Sequence, residues 1–196
     1  MNRLTFEGGK KHQYALNGGP IPSVTQIIRR VLGDKEYGGT QWHMDRGTAA
    51  HELYAMLARG EDLSKYDYDQ RLQHNVDAWR DWAARERPKF IEVEYQVASE
   101  RFGYGGTIDA VLQIGKRVLI LDYKATSSAR DAIQLAAYRV ALRETIPELI
   151  VTGLLSLQIN ADGWRYGPVL GHSEMLLADA AWNHVLGVYR LLEKEV

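Results

Sequence analysis

GGTIDAVLQIGKRVLILDYKATSSARDAIQLAAY, residues 105–138, is the stretch from which the fold can be predicted. It contains two short apolar runs, at 111–114 and 118–121, each bounded by glycine or by charge. Short runs of this kind, rich in β-branched residues, are typical of strands rather than helices. The glycine and two basic residues between them, 115–117, favour a hairpin turn. We therefore predict strand, turn, strand, loop and helix in that order.

Two aspartates mark the open end of this predicted hairpin. Asp109 lies near the start of the first strand and Asp122 at the end of the second, and these two points are neighbours in an antiparallel pair. Lys124, two residues beyond Asp122, points to the same side of an extended chain. The two carboxylates repel each other unless a cation intervenes, and hard oxygen ligands suit magnesium or manganese. The pattern thus predicts a divalent-metal site at the end of the hairpin.

An Asp-x-Lys triplet alone is a weak signal, because solvated charges at the end of a strand give the same pattern. Three further features favour the functional interpretation. The first is the Gly-x-x-Asp pattern that begins at Gly106, and the second is RGTAAHE at residues 46–52. The third is a predicted helix on which Gln134 and Tyr138, four residues apart, share one face.

Four motifs of the chain, taken in order, resemble those of the PD-(D/E)xK nuclease superfamily: RGTAAH, GTIDAV, LDYKA and QLAAY. The most similar branch is the RecB-like exonucleases, which include phage exonucleases and the mitochondrial genome maintenance exonuclease. The resemblance extends from about residue 22 to about residue 138. It implies an α/β fold with the restriction-endonuclease-like αβββαβ core, a mixed sheet flanked by helices.

The rest of the chain agrees with a single nuclease domain over residues 1–196. We expect residues 1–90 to form a β-ribbon start and a helical region that carries His51, and the resemblance implies that this region makes an arch over the site. Residues 91–196 are expected to form the sheet core with the catalytic motifs and a C-terminal helix. The Val- and Leu-rich segment 149–160 predicts a further strand after the crossover helix.

The resemblance assigns roles position by position. Asp109 and Asp122 match the two metal-binding carboxylates, and Lys124 matches the catalytic lysine. The resemblance also implies that the His51 side chain and the backbone carbonyl of Tyr123 bind the metal. A histidine at the border of an apolar helix stripe, taken alone, is more often a core residue, so that alternative stays open for His51.

The candidate substrate-binding residues follow the lysine. Gln134 and Tyr138 match the QxxxY motif, which supports the site and the DNA backbone in the family. Thr126, Ser127 and Arg130 are further candidates, although an alanine separates Thr126 from the lysine where the family often has the threonine directly.

Glu94 is the last candidate for the site. It lies in a predicted strand, 90–99, at a position where relatives carry a glutamate, so it is a candidate to approach the metal or to hold the lysine. The alternation of apolar and polar residues in that strand is equally consistent with Glu94 on a solvent-exposed face of the sheet.

The predicted function is that of a metal-dependent DNA exonuclease, which hydrolyses phosphodiester bonds at DNA ends in phage or bacterial recombination or repair. One or two Mg²⁺ or Mn²⁺ ions are the expected cofactors. A structure-specific or nicking endonuclease of the same superfamily is the first alternative. A catalytically inactive, nuclease-like DNA-binding module is the second. The expected partner is DNA, either single-stranded or at an end, and a monomer is favoured.

The amino-acid composition excludes some cofactors and function classes. The 196 residues include no cysteine, which excludes disulfides and also the iron–sulfur cluster of several relatives. The net charge of −1 argues against a DNA-coating protein, which would be basic. We find no apolar leader segment and no run long enough to cross a membrane, and so expect a cytoplasmic protein in a bacterial or phage-infected cell.

Overall fold

The computed structural model describes residues 4–7, 13–33 and 41–194 of the chain. Within these ranges the helices are α1 (Val24–Leu32), α2 (Gln41–Ala58), α3 (Gln73–Glu86), α4 (Ala129–Thr145) and α5 (His172–Leu192). The strands are β1 (Leu4–Glu7), β2 (Gln13–Leu16), β3 (Gly19–Ile21), β4 (Lys89–Ser99), β5 (Tyr104–Ile114), β6 (Arg117–Lys124), β7 (Gly153–Asn160) and β8 (Gly163–Leu170). Of the helices described, none combines the length and the apolar character that a membrane-spanning segment needs.

A five-stranded sheet in the order β4-β5-β6-β7-β8 forms the centre of the molecule. Strands β4, β5 and β6 pair antiparallel, β6 and β7 pair parallel, and β8 returns antiparallel on β7. A parallel pair needs a crossover connection, and α4 provides it. The predicted α/β fold, with a mixed sheet flanked by helices in αβββαβ order, is confirmed.

The predicted hairpin is β5, a two-residue turn and β6. Gly115 in the turn has a φ of +59°, a left-handed conformation that suits glycine. Cross-strand partners run from Ile114 with Arg117 to Ala110 with Leu121. The ladder ends at that pair, and Asp109 and Asp122 are the next residues on the two strands, so both predicted carboxylates lie at this end of the hairpin.

Side-chain caps fix where the helices next to the site begin. Ser23 caps α1: its hydroxyl accepts from the N–H of Gln26 at 3.1 Å, and the Gln26 side chain accepts from the Ser23 N–H at 2.8 Å. Ser128 begins α4, where its N–H donates to the buried carboxylate of Asp131 at 2.6 Å. These caps satisfy orphan donors of the first turn and so hold the start of α4 close behind the end of β6.

The two faces of the sheet bury separate apolar clusters. Helices α1, α4 and α5 cover one face, where Ile120 and Trp182 are fully buried. Helices α2 and α3 cover the other, where Trp79 and Trp82 are buried. Burial of an aliphatic side chain such as Ile120 contributes about 1.5–3 kcal/mol. Because side chains alternate along β6, Asp122 faces α4 and its neighbour Tyr123 faces α2 and α3.

The N-terminal strands form a separate three-stranded antiparallel ribbon, β1-β2-β3. The ribbon is tied to β5 by a hydrogen bond of 2.9 Å between the hydroxyls of Tyr14 and Thr107. Residues 1–3 and 8–12 of the predicted ribbon lie outside the described residues. The expected strand start at residue 149 is wrong, because β7 begins at Gly153.

Candidate active site

Asp109 lies where β5 and β6 diverge. Its Oδ2 accepts a hydrogen bond of 2.7 Å from the backbone N–H of Tyr123. The Tyr123 N–H on β6 is therefore bound by a side chain and not by the backbone of β5. The regular β5–β6 ladder ends at the pair Ala110 and Leu121. The Nδ1 atom of His51 lies 3.4 Å from the same Oδ2. The chain thus brings His51, from a helix 58 positions earlier, against the first predicted carboxylate.

Helix α2 places His51 over the site by packing on a wall of aromatic rings. The ring of His51 meets the ring of Tyr123 edge to face, with centroids 5.9 Å apart. Tyr54, one turn further along α2, packs on the same Tyr123 ring at 4.7 Å. The hydroxyls of Tyr123 and Tyr54 accept hydrogen bonds from Trp79 Nε1 at 3.0 Å and from the Asn75 amide at 2.8 Å.

Sequence reasoning missed this wall. Its only local signal is that Tyr54 follows His51 by three positions, which places both on one helix face.

Asp122 and Lys124 form an ion pair on the α4 side of the sheet. The Nζ atom of Lys124 lies 2.7 Å from Asp122 Oδ2, although the contact lacks the angles of a hydrogen bond. The Asp122 side chain is 3% exposed and that of Lys124 is 20% exposed. Among the described residues, Oδ2 accepts no hydrogen bond of good geometry, so a buried carboxylate oxygen is held mainly by a neighbouring charge.

Gln134 and Tyr138 reach this ion pair from one face of α4. The Gln134 carbonyl oxygen accepts from Lys124 Nζ at 3.3 Å, and its amide nitrogen approaches Asp122 Oδ1 at 3.4 Å. The same amide donates to the hydroxyl of Tyr138 at 2.9 Å. The ring of Tyr138 is buried against Gly106, where an added Cβ would overlap it. The amide of Gln134 therefore holds the lysine and the second carboxylate at once.

The charges of these groups shift one another's pKa values. Burial raises the pKa of Asp122, Lys124 opposes that effect, and the negative charge of Asp109 adds to it, so that the pKa reaches about 6. Burial acts in the same direction on Asp109, but the charges of His51 and Lys124 outweigh it and hold its pKa below the usual range. The positive charges of His51 and Lys124 thus suffice to lower the pKa of Asp109 but not that of Asp122.

The two cationic groups respond in the opposite sense. Burial lowers the pKa of the His51 imidazole, but the charges of Asp109 and Asp122 overcome this and raise it to about 9. The His51 side chain remains 36% exposed, so water reaches it. Burial also opposes the charge on Lys124, yet the same two carboxylates raise its pKa above the usual range. At neutral pH, the metal-free site therefore holds a protonated His51 and a protonated Lys124.

Glu94 lies beside Asp109, across from it in the β4–β5 register between the pairs Val93–Ala110 and Tyr95–Ile108. Its backbone has a φ of +54°, a left-handed conformation that is rare for a residue within a strand and costs about 1–3 kcal/mol. Burial, followed by the charge of Asp109, raises the pKa of Glu94 to about 7. The structure thus brings Glu94 close to Asp109 and His51.

A divalent metal fits the donor chemistry of this cluster. Within the described ranges, no three acidic or histidine side chains already form a closed metal-binding group. The buried Oδ2 of Asp122 nevertheless lacks a well-formed hydrogen bond, and the pKa of Asp122 is raised partly by Asp109. Both features indicate oxygen donors that a further cation would stabilise. The residues that could hold it are Asp109, Asp122, His51 and the Tyr123 carbonyl.

The three remaining candidates lie around the start of α4. Thr126 is exposed in the loop after β6. The Ser127 hydroxyl accepts a hydrogen bond from the side chain of Gln158 on β7. Arg130 is turned toward α1, where it donates to the carbonyls of Leu32 at 2.6 Å and Gly33 at 2.9 Å. Arg130 thus ties α4 to the end of α1.

Comparison with known proteins adds one finding. A family model, that of the PD-(D/E)XK nuclease superfamily, matches residues 42–166. The match covers well over half of the chain and includes all but the first residue of α2, the whole β4–β7 region and the Asp109, Asp122 and Lys124 cluster. No curated protein matches the chain.

Proposed function

This chain belongs to the PD-(D/E)XK nuclease superfamily, and from that premise we propose that it is a metal-dependent DNA exonuclease of the RecB-like branch. Membership implies a hydrolase that acts on nucleic acid. The observation that carries the finer proposal is the convergence of four groups: Asp109, Asp122, Lys124 and, from a separate helix, His51. Hydrolysis at DNA ends, and a role in phage or bacterial recombination or repair, rest on the resemblance of the motifs to that branch.

Nucleases of this superfamily generally use divalent metals. We propose that Asp109, Asp122 and His51, with the carbonyl of Tyr123, hold one Mg²⁺ or Mn²⁺. The chemistry that such an ion supplies when bound is polarisation of the phosphoryl group and acidification of water. The bond that breaks joins phosphorus to a sugar oxygen, and the elements of water are added across it. To hold such an ion, His51 would have to give up its proton, because only a neutral imidazole nitrogen can donate its lone pair.

Lys124 acts through its positive charge. The raised pKa of its ammonium keeps the proton on Nζ in the metal-free protein, which favours orienting the attacking water and stabilising phosphoryl charge over taking a proton itself. Gln134 fixes the ammonium through the 3.3 Å hydrogen bond and so limits where the charge can lie. Tyr138 in turn fixes Gln134 through its hydroxyl. These two residues position the lysine, and we propose that they also support the DNA backbone.

We assign Glu94 to the metal side of the site. Its charge interacts with those of Asp109 and His51, and its left-handed backbone turns it out of the regular strand pattern. Strain of this kind is concentrated at functional sites. A third carboxylate beside Asp109 would serve a second ion that arrives with the DNA.

The digestion of two DNA substrates tests the proposal. A linear strand with one labelled end and a closed circle are incubated with Mg²⁺ or Mn²⁺ and, separately, without divalent metal. We expect shortening of the linear DNA, an intact circle and no reaction without metal. A nicked circle would indicate the endonuclease alternative, and an absence of cleavage with either ion would overturn the enzymatic proposal.

Lys124→Ala should slow cleavage by about 10²–10³-fold, because one positioned donor that stabilises developing charge contributes that much. Lys116→Ala is the matched control, since Lys116 lies in the turn at the opposite end of the same hairpin. It removes the same side chain and should leave cleavage unchanged.

We propose further that residues 1–196 act as a single nuclease domain and as a monomer in the cytoplasm.

A further inference from the structure

Three polar side chains form a row across the sheet, starting at the catalytic lysine. Lys124 on β6 is the cross-strand partner of Gln158 on β7, and Gln158 is the partner of Arg165 on β8. Partners in a ladder point to the same face of a sheet. The row therefore lies on the α4 side, the same side as the Asp122–Lys124 ion pair.

Gln158 is the buried link of this row, with 6% of its surface exposed. Its amide nitrogen donates to the Ser127 hydroxyl, in the loop that follows Lys124. Its carbonyl oxygen accepts from Nε of Arg165 at 2.7 Å. A buried amide with both ends engaged fixes the direction of the arginine, since leaving either end unpaired is costly. Gly167 allows this arrangement, because an added Cβ there would lie 3.0 Å from the Ser127 hydroxyl.

Arg165 is exposed, and only its Nε is engaged in the part of the chain that the structure describes. Its two terminal nitrogens make no hydrogen bond or ion pair there, so the outer edge of the guanidinium is available to a ligand. A planar guanidinium with two parallel N–H donors suits a phosphate. Adjacent strands are about 4.8 Å apart, so Arg165 stands roughly 10 Å from Lys124 along the row.

We infer that Arg165, held by Gln158 and Ser127, binds a phosphate of the nucleic-acid backbone next to the one at Lys124. The inference rests on the proposed function, because it takes Lys124 as the point where the scissile phosphate lies. It assigns a direction to the bound strand, which crosses from β6 over β7 to β8. Gln158 is a positioning residue, because it acts on the DNA only through Arg165.

Salt-dependent binding tests this assignment. The dissociation constant of a labelled single-stranded oligonucleotide is measured by fluorescence anisotropy between about 0.05 and 0.2 M NaCl. The Lys124→Ala background, with Mg²⁺ present, keeps the DNA intact. Arg165→Gln should weaken binding by about tenfold and reduce the slope of log affinity against log salt by about 0.7, the value for one phosphate contact on a single strand.

Two further variants separate position from charge. Arg165→Lys keeps the charge but loses the Nε bond to Gln158, so the slope should stay and the affinity should fall by about threefold. Arg80→Gln is the matched control, because Arg80 is an exposed arginine on α3, which covers the opposite face of the sheet. It makes the same change in net charge and should alter neither quantity.

The results distinguish failure of this inference from failure of the proposed function. If Arg165→Gln binds with the same affinity and slope as its background, while the wild-type protein degrades DNA, the assignment of Arg165 is overturned alone. Equal losses in Arg165→Gln and Arg80→Gln would also overturn it, because the effect would then be one of net charge. An absence of both DNA binding and cleavage would overturn the assignment together with the proposed function.

Discussion

Asp109 and Asp122 adjoin the last regular pair of the β5–β6 ladder, Ala110 with Leu121, at the point where the two strands separate. The strands separate there because Asp109 Oδ2 accepts the N–H of Tyr123 at 2.7 Å. One carboxylate thus opens the sheet, and the other lies in the opening with its lysine partner 2.7 Å away. The same two aspartates thus account for the separation of the strands and for the negative charge that a cation would neutralise. Substitution of either residue can test both effects.

Asp109→Asn should weaken the binding of Mn²⁺ by at least about tenfold and slow cleavage. An asparagine oxygen can still accept the Tyr123 N–H, so the divergence of the strands should persist and the melting temperature should change little. Isothermal titration with Mn²⁺, a cleavage assay and thermal unfolding measure the three quantities. Asp162→Asn, an exposed change in the turn between β7 and β8, is the control. Unchanged Mn²⁺ affinity in Asp109→Asn would contradict the assignment.

The affinity for Mn²⁺ should depend on pH through His51. The pKa of His51 is raised to about 9 in the metal-free protein, so the imidazole carries a proton at pH 7 that metal binding must displace. The affinity should therefore rise by up to about tenfold per pH unit from about pH 7 and level off near the His51 pKa. His51→Asn should lose this dependence, and the exposed His184→Asn should keep it. A dependence that survives in His51→Asn would exclude His51 as its origin.

Gly106→Ala should disturb the lysine without touching it. The added methyl overlaps the Tyr138 ring, and Tyr138 holds Gln134, which in turn holds Lys124. Overpacking of this kind costs about 1–3 kcal/mol, which lowers the melting temperature by several degrees. Cleavage should slow as well.

The control for this substitution is Gly187→Ala on α5, where the space is open and a helical alanine is expected to stabilise the protein by up to about 1 kcal/mol. Calorimetry and the cleavage assay together check both variants. Wild-type stability and rate in Gly106→Ala would show that the contact with Tyr138 does not hold the site.

The hairpin and its carboxylates could be predicted because the signals are local. Apolar runs of strand length, a turn glycine and two aspartates at matching distances from the turn specify the β5–β6 register. The start of β7 could not be placed in this way. Residues 149–152 are apolar enough for a strand, but Thr152 instead ends the connection by bonding to Val118: its N–H donates to the Val118 carbonyl at 2.8 Å, and its hydroxyl accepts the Val118 N–H at 3.0 Å.

Contacts between distant segments were beyond the sequence pattern. The row from Lys124 to Gln158 depends on the register of the parallel pair β6–β7. These strands are joined by a crossover helix and not by a tight turn, so no turn residues in the sequence indicate their register. The positive φ of Glu94 is equally hidden, because an alternating strand pattern predicts an ordinary extended backbone at that position. The resemblance to a family supplied His51, whose proximity to Asp109 depends on how α2 packs over Tyr123.

Anomalous scattering from crystals soaked in Mn²⁺ would show whether one ion binds between Asp109 and Asp122. We expect a peak within bonding distance of both carboxylates, with Lys124 displaced from its 2.7 Å contact or turned toward solvent beside the ion. A map without a peak between these two carboxylates, at an ion concentration that supports cleavage by the same protein, would contradict this expectation.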